Sequence, residues 1–167
     1  LKLTHLSTWK ELTNMRSDVL NKNSGSYGNV PELYPNGFSA KTADFTAADG
    51  YIYLVTKLDG CAITLPAPTH GARIKIVIGA VTSNNHVMTC DATTTLYEGY
   101  ALLADTADGT AAQHTVFAAD ESNDDAFTMN GTTTGNGGVI ELVGLSASRW
   151  KIEASIFASG TIATPFS

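Results

Sequence analysis

At 167 residues the chain is long enough for one hydrophobic core of ordinary size plus an appendage, and too short for two independent cores. Charged residues make up 16% of it, below the roughly 25% usual in soluble domains, a balance that suits short strands, turns and neutral contact surfaces. A net charge of −6 disfavours a nucleic-acid binder, which needs cations to neutralise phosphates, and no run of about 18 apolar residues is present to cross a membrane as a helix.

The charge is unevenly spread. Residues 1–23 carry Lys2, Lys10, Arg16 and Lys22 against Glu11 and Asp18, a net +2, so the remainder carries −8. Between Ile76 and Ser148 there is no Lys or Arg, while nine acidic residues lie there. The N-terminus lacks the apolar stretch of a secretory signal, and its first residue, Leu1, is expected from a processed or trimmed start.

A helical period is clear in the first segment, where Trp9, Leu12, Met15, Val19 and Leu20 recur at spacings of three and four and form one apolar stripe. Thr8 and Glu11 make a capping box, and the stretch from Asn23 to Gly28 stops the helix, so a short α-helix is expected over residues 8–22. Such a helix is marginal alone and must bury its stripe, either on its own body or on a neighbouring chain. The linker over residues 23–39, with Gly25, Gly28, Pro31, Pro35 and Gly37, is long enough to permit the second.

From Phe45 onward the period becomes two. Residues 51–56, 61–65, 73–78, 86–90, 94–100, 114–118, 126–129, 139–143 and 149–156 read as strands, separated by turn signals such as Asp49-Gly50, Asp59-Gly60, Asp108-Gly109, Asn130-Gly131 and Asn136-Gly137. Short strands with no helices between them predict a mainly β fold, an antiparallel sandwich or barrel-like body. In RIKIVI the alternation sets Arg73 and Lys75 opposite Ile74 and Ile76, and in RWKIE it sets the charged residues opposite Trp150 and Ile152, so one face is wet. Those basic residues are expected to pair with Glu141 or Glu153 if their strands are neighbours. The ending SGTIATPFS reads as an extended apolar arm. The expected division is an N-terminal helix and linker over residues 1–44, a β body over 45–158 and a C-terminal tail over 159–167.

The common catalytic constellations are missing from the sequence. His5, His70, His86 and His114 have no ligand spacing, there is no phosphate loop or dinucleotide fingerprint, and Gly144-Leu145-Ser146-Ala147-Ser148 lacks the closing glycine of a nucleophile elbow. No cofactor and no enzymatic activity are expected. The acidic run from Asp120 to Asp125 reads first as a solvated loop and second as a weak Ca²⁺ site, because carboxylate and amide oxygens are what that ion prefers, although it does not match the twelve-residue calcium loop. Cys61 and Cys90 sit in apolar strands and read as buried free thiols, with a mutual disulfide as the alternative. Tyr51, Tyr53, Tyr97, Tyr100 and Trp150 are either core residues or the lining of a sugar-binding groove.

The stretch DGYIYLVTKLDGCAITLPAPTHGARIKIVIG, from Asp49 to Gly79, and the closing GGVIELVGLSASRWKIEASI, from Gly137 to Ile156, resemble virion proteins of tailed bacteriophages, in which a strand leads to "ITLP", a glycine turn and an alternating basic and apolar strand. The resemblance implies a capsid decoration (cement) protein on the outer virion surface, made in the host cytoplasm, with itself as a homotrimer and the major capsid protein as partners. A tail, collar or fibre component and a carbohydrate-binding adhesive module are the alternatives. The expected contact residues are Trp9, Leu12, Met15, Val19 and Leu20 on the helix and Ile162 and Phe166 in the tail.

Overall fold

The computed structural model describes residues 34–80, 84–105, 114–120, 122–129, 138–158 and 163–167. The expected helix over residues 8–22 lies outside them. Residues Leu33–Ser167 form one compact unit. Its eleven described strands are β1 (Gly37–Lys41), β2 (Phe45–Thr46), β3 (Tyr51–Val55), β4 (Ala62–Thr64), β5 (Arg73–Ile78), β6 (His86–Thr89), β7 (Leu96–Asp105), β8 (His114–Ala118), β9 (Ala126–Met129), β10 (Val139–Ser146) and β11 (Arg149–Ala158).

The chain is mainly β, as expected, but its sheets are mixed in strand orientation and not purely antiparallel. A seven-stranded sheet has the order β1-β3-β5-β10-β11-β7-β8 and a four-stranded sheet the order β2-β4-β6-β9. Strands β1, β3 and β5 are parallel neighbours in the large sheet, and β2, β4 and β6 are parallel neighbours in the small one. The first six strands therefore wind alternately between the sheets, three turns of one coil. Parallel neighbours need a crossover between them, and here each crossover is a strand of the other sheet. At the end of the winding β10 pairs antiparallel with β5, and β9 pairs antiparallel with β6.

The turn residues explain why hairpins do not form. Gly50 and Gly60 have φ of 78° and 82°, as their Asp-Gly signals require, yet each turn sends the chain across to the other sheet instead of back along its partner. Aspartates stitch successive turns together. The Asp49 side chain accepts the Arg73 amide at 2.6 Å, and Asp44 accepts both the Ala62 amide at 2.8 Å and the Lys57 ammonium at 2.7 Å. Residues 37–39, expected in the linker, belong to β1 and pair with β3, so the β body starts before residue 45.

One core draws on both sheets. Ile74, Ile76 and Ile78 of β5, Ile140 and Leu142 of β10, and Trp150, Ile152 and Ile156 of β11 meet Ile63, Met88, Phe127 and Met129 of the small sheet in a single buried cluster. Polar atoms on core aromatics are satisfied: the Trp150 indole donates to the Pro66 carbonyl at 3.2 Å, and the Tyr97 hydroxyl donates to Met88 at 3.2 Å. Cys61 is buried, Cys90 is half-buried, and both are free thiols. Burial pushes the Cys90 thiol up to about 12, with the neighbouring Tyr97 hydroxyl opposing part of the shift, so it stays protonated and unreactive at neutral pH.

His86 is fully buried, and neither ring nitrogen has a well-formed hydrogen bond. Burial lowers its pKa first, the approach of the Ala80 backbone offsets part of this, and Lys57 adds to the lowering. The folded ring is therefore neutral, while in the unfolded chain it takes a proton near the ordinary value of about 6.5. Stability is expected to be full above that pH and to decline as pH falls toward the depressed folded value. Melting temperatures measured from pH 8 to pH 5 should show this decline, and His86→Leu should flatten it; equal slopes in both proteins would assign the acid sensitivity to other groups.

Candidate interaction surface

The inward and outward positions of the large sheet follow from the two-residue period, and strand register aligns the outward ones into rows. One row runs Ala40, Leu54, Val77, Val139, Ser155, Leu102, Val116, crossing all seven strands. It is apolar except at Ser155, which makes it a band broken at one strand on a face turned away from the core. The next row runs Phe38, Ile52, Lys75, Glu141, Glu153, Tyr100, Ala118. A third runs Arg73, Val143, Lys151, Glu98. Phe38 is 64% exposed, Val116 63% and Tyr100 44%, an unusual degree for large apolar side chains on one face.

The charges on this face are arranged to cancel. Lys75 meets Glu141 at 2.7 Å and Lys151 meets Glu153 at 2.6 Å, so Glu141 and Glu153, direct cross-strand neighbours, each have a cation beside them. The hydrogen bond that each lysine donates to its carboxylate partner is the leading cause that raises its pKa and keeps it charged. The expected pairing of Lys75 with Glu141 is present. Strands β5 and β11 are not neighbours, however, because β10 lies between them, and Lys151 pairs within its own strand.

Two shallow depressions open here. One, of about 240 Å³, lies where the small Ser155 side chain interrupts the band between Val139, Leu102 and Tyr100. The other, of about 270 Å³, lies among Arg73, Glu141, Val143, Lys151 and Glu153. Tyr34, where the described chain begins, feels Glu141, Lys75 and Arg73; burial first and Glu141 next raise its pKa.

The residues expected to make contacts fare differently. Trp9, Leu12, Met15, Val19, Leu20 and Ile162 lie outside the described residues. Phe166, expected on a partner, is 6% exposed inside its own body: its ring packs at 5.2 Å from Phe127 and 6.4 Å from Tyr97. The backbone beside it joins the edge of β9, with the Thr128 amide donating to Pro165 at 2.8 Å and the Ala126 amide to Ser167 at 2.8 Å. This end of the tail is thus bound to its own body and is not a free arm, because an aromatic ring gains most by entering the apolar gap at that edge.

The sugar-groove reading loses most of its residues, since Tyr53, Tyr97 and Trp150 are buried in the core. In the acidic loop, Asp120 accepts the Ser122 and Asn123 amides at 2.8 and 3.1 Å, and Asp124 accepts the Asp120 amide at 2.5 Å. These carboxylates are engaged by backbone donors, and among the described residues no three metal-ligating side chains gather. Ser146 ends β10 and a two-residue turn leads into β11, a hairpin where an elbow would need a helix.

The outer face was the surface that sequence reasoning passed over. Its signal was present as apolar residues, Val77, Val139 and Leu102, on the side of each strand that also carries charges. No protein-family model matches the chain, and no curated protein is similar to it.

Proposed function

We propose that the chain is a virion structural protein that decorates and stabilises a capsid by binding between capsomers as an oligomer, and that its two sheets pack face to face as a sandwich. Contact, not catalysis, is then its task. The supporting observation is the outer face of the large sheet, where an apolar band crosses seven strands beside a charge-balanced row. A surface this broad and shallow suits another flat protein surface better than a small molecule, which is held in a concave pocket. The resemblance of the segments from Asp49 to Gly79 and from Gly137 to Ile156 to phage virion proteins supplies the capsid as the lattice on which the oligomer sits, and the outer face supports the association of its copies. Repetition on a lattice lets weak individual contacts sum to firm attachment.

The test is co-sedimentation of the purified chain with empty capsids of the phage whose genome carries its gene. Saturable binding and a higher capsid disruption temperature are expected. Failure to bind those capsids at micromolar concentration would overturn the capsid reading.

A further inference from the structure

We propose that a second copy of the chain covers the outer face of the large sheet, laying its own outer face against it across a two-fold axis, apolar band over apolar band. This rests on the reading of the chain as a self-associating module, names the surface by which it does so, and sets a two-fold pair in place of the homotrimer that the resemblance implies.

Three observations favour a second copy over a foreign partner. First, the outward positions carry Arg73, Lys75, Arg149 and Lys151 against Glu98, Glu141 and Glu153, a nearly neutral set in a chain whose residues 24–167 are otherwise strongly acidic. Copies approaching through most other surfaces bring like charge together; approaching through this face they do not. Second, Lys75 and Lys151 are already paired with Glu141 and Glu153 in the same copy. Two lysines and two glutamates are therefore matched within the copy, and Arg73 and Glu98, at opposite ends of the third row, are of opposite sign. The face asks for a nearly neutral surface with an apolar stripe, which is a description of itself, and self-complementarity is what a two-fold interface requires.

The third observation is area. Seven strands about 4.8 Å apart, with roughly five residues each at about 3.3 Å, make a face of roughly 34 by 17 Å. Two such faces remove on the order of 1,100 Å² from water, which reaches the roughly 1,000 Å² expected of a specific interface. Sheets stacked face to face at about 10 Å are an established packing mode, with side chains of one entering gaps of the other. The depression at Ser155, bordered by Val139, Leu102 and Tyr100, is such a gap in the middle of the band.

Sedimentation equilibrium of the full 167-residue chain over the micromolar range is the test. A mass of two chains is expected. Val116→Glu, on an exposed edge position, and Val139→Glu, at the centre of the band, should each weaken association at least tenfold, with circular dichroism melts confirming that Val116→Glu stays folded. A monomer at all concentrations, a trimer, or a dimer indifferent to Val116→Glu would overturn the inference. Capsid co-sedimentation on the same samples keeps the two readings apart. A monomer that binds capsids overturns this surface alone, whereas a dimer that ignores capsids supports the surface and overturns the capsid reading.

Discussion

Gly99→Ala is expected to lower the stability of the β body by about 4 kcal/mol, among the largest effects a single methyl group can have. Gly99 lies in β7 with φ of 134°, a backbone region that other residues enter at a cost of about 1–3 kcal/mol. The added Cβ would also collide with the Ile152 carbonyl of β11. The obstacle is backbone, so no side-chain rotation relieves it. Strands β7 and β11 run parallel over ten paired residues, and the Gly99 carbonyl also accepts the Ala119 amide at 3.0 Å, so β7 cannot back away without breaking ladders on both sides. Against a total of about 5–15 kcal/mol for a domain, such a loss is large. Thermal melts should show a fall of about 10 °C. Gly71→Ala is the comparison, because Gly71 also has a positive φ of 84° but nothing within 4 Å of its Cβ position. Equal losses in the two variants would show that the collision is relieved and that only backbone strain counts.

Phe166→Ala is expected to cost about 3 kcal/mol, the usual result of removing a buried aromatic ring and leaving a cavity. The ring completes a cluster with Phe127 and Tyr97, and it ties the last residues to the edge strand of the small sheet. The loss should appear in denaturant melts at every protein concentration. A variant with unchanged stability but altered oligomeric mass would return Phe166 to the role that the sequence suggested, a contact on a neighbour.

These two residues also show where sequence reading reaches its limit. All nine strands expected from the two-residue period are present, because alternation reports directly which side chains enter a core. Strand β1 escaped because Pro35 and Gly37 beside it are loop residues by type, and its pairing with β3 depends on contacts fourteen residues apart. Orientation escaped for a deeper reason. Alternation fixes the face of a strand and says nothing of its neighbours, so Asp-Gly turns that cross between sheets look the same as turns that make hairpins. The Lys75 and Glu141 pair was legible from outward charges on two apolar strands, yet only the register showed that Val77, Val139, Leu102 and Val116 align into one band. Nothing local to Phe166 revealed its burial, since its partners Phe127 and Tyr97 lie far back in the chain.

The winding of β1 to β6 gives the molecule a direction. The turn made by β5 and β6 is held on both sides, by β3 and β4 before it and by the antiparallel strands β10 and β9 after it, whereas among the described strands the turn made by β1 and β2 has a neighbour on one side only. In a stack of this kind each unit owes its stability to the ones it touches, so the cost of opening rises step by step from β1 inward. The amino-terminal edge is therefore where the β body loosens first. It is also where evolution could add or delete a whole turn and leave the rest of the fold intact.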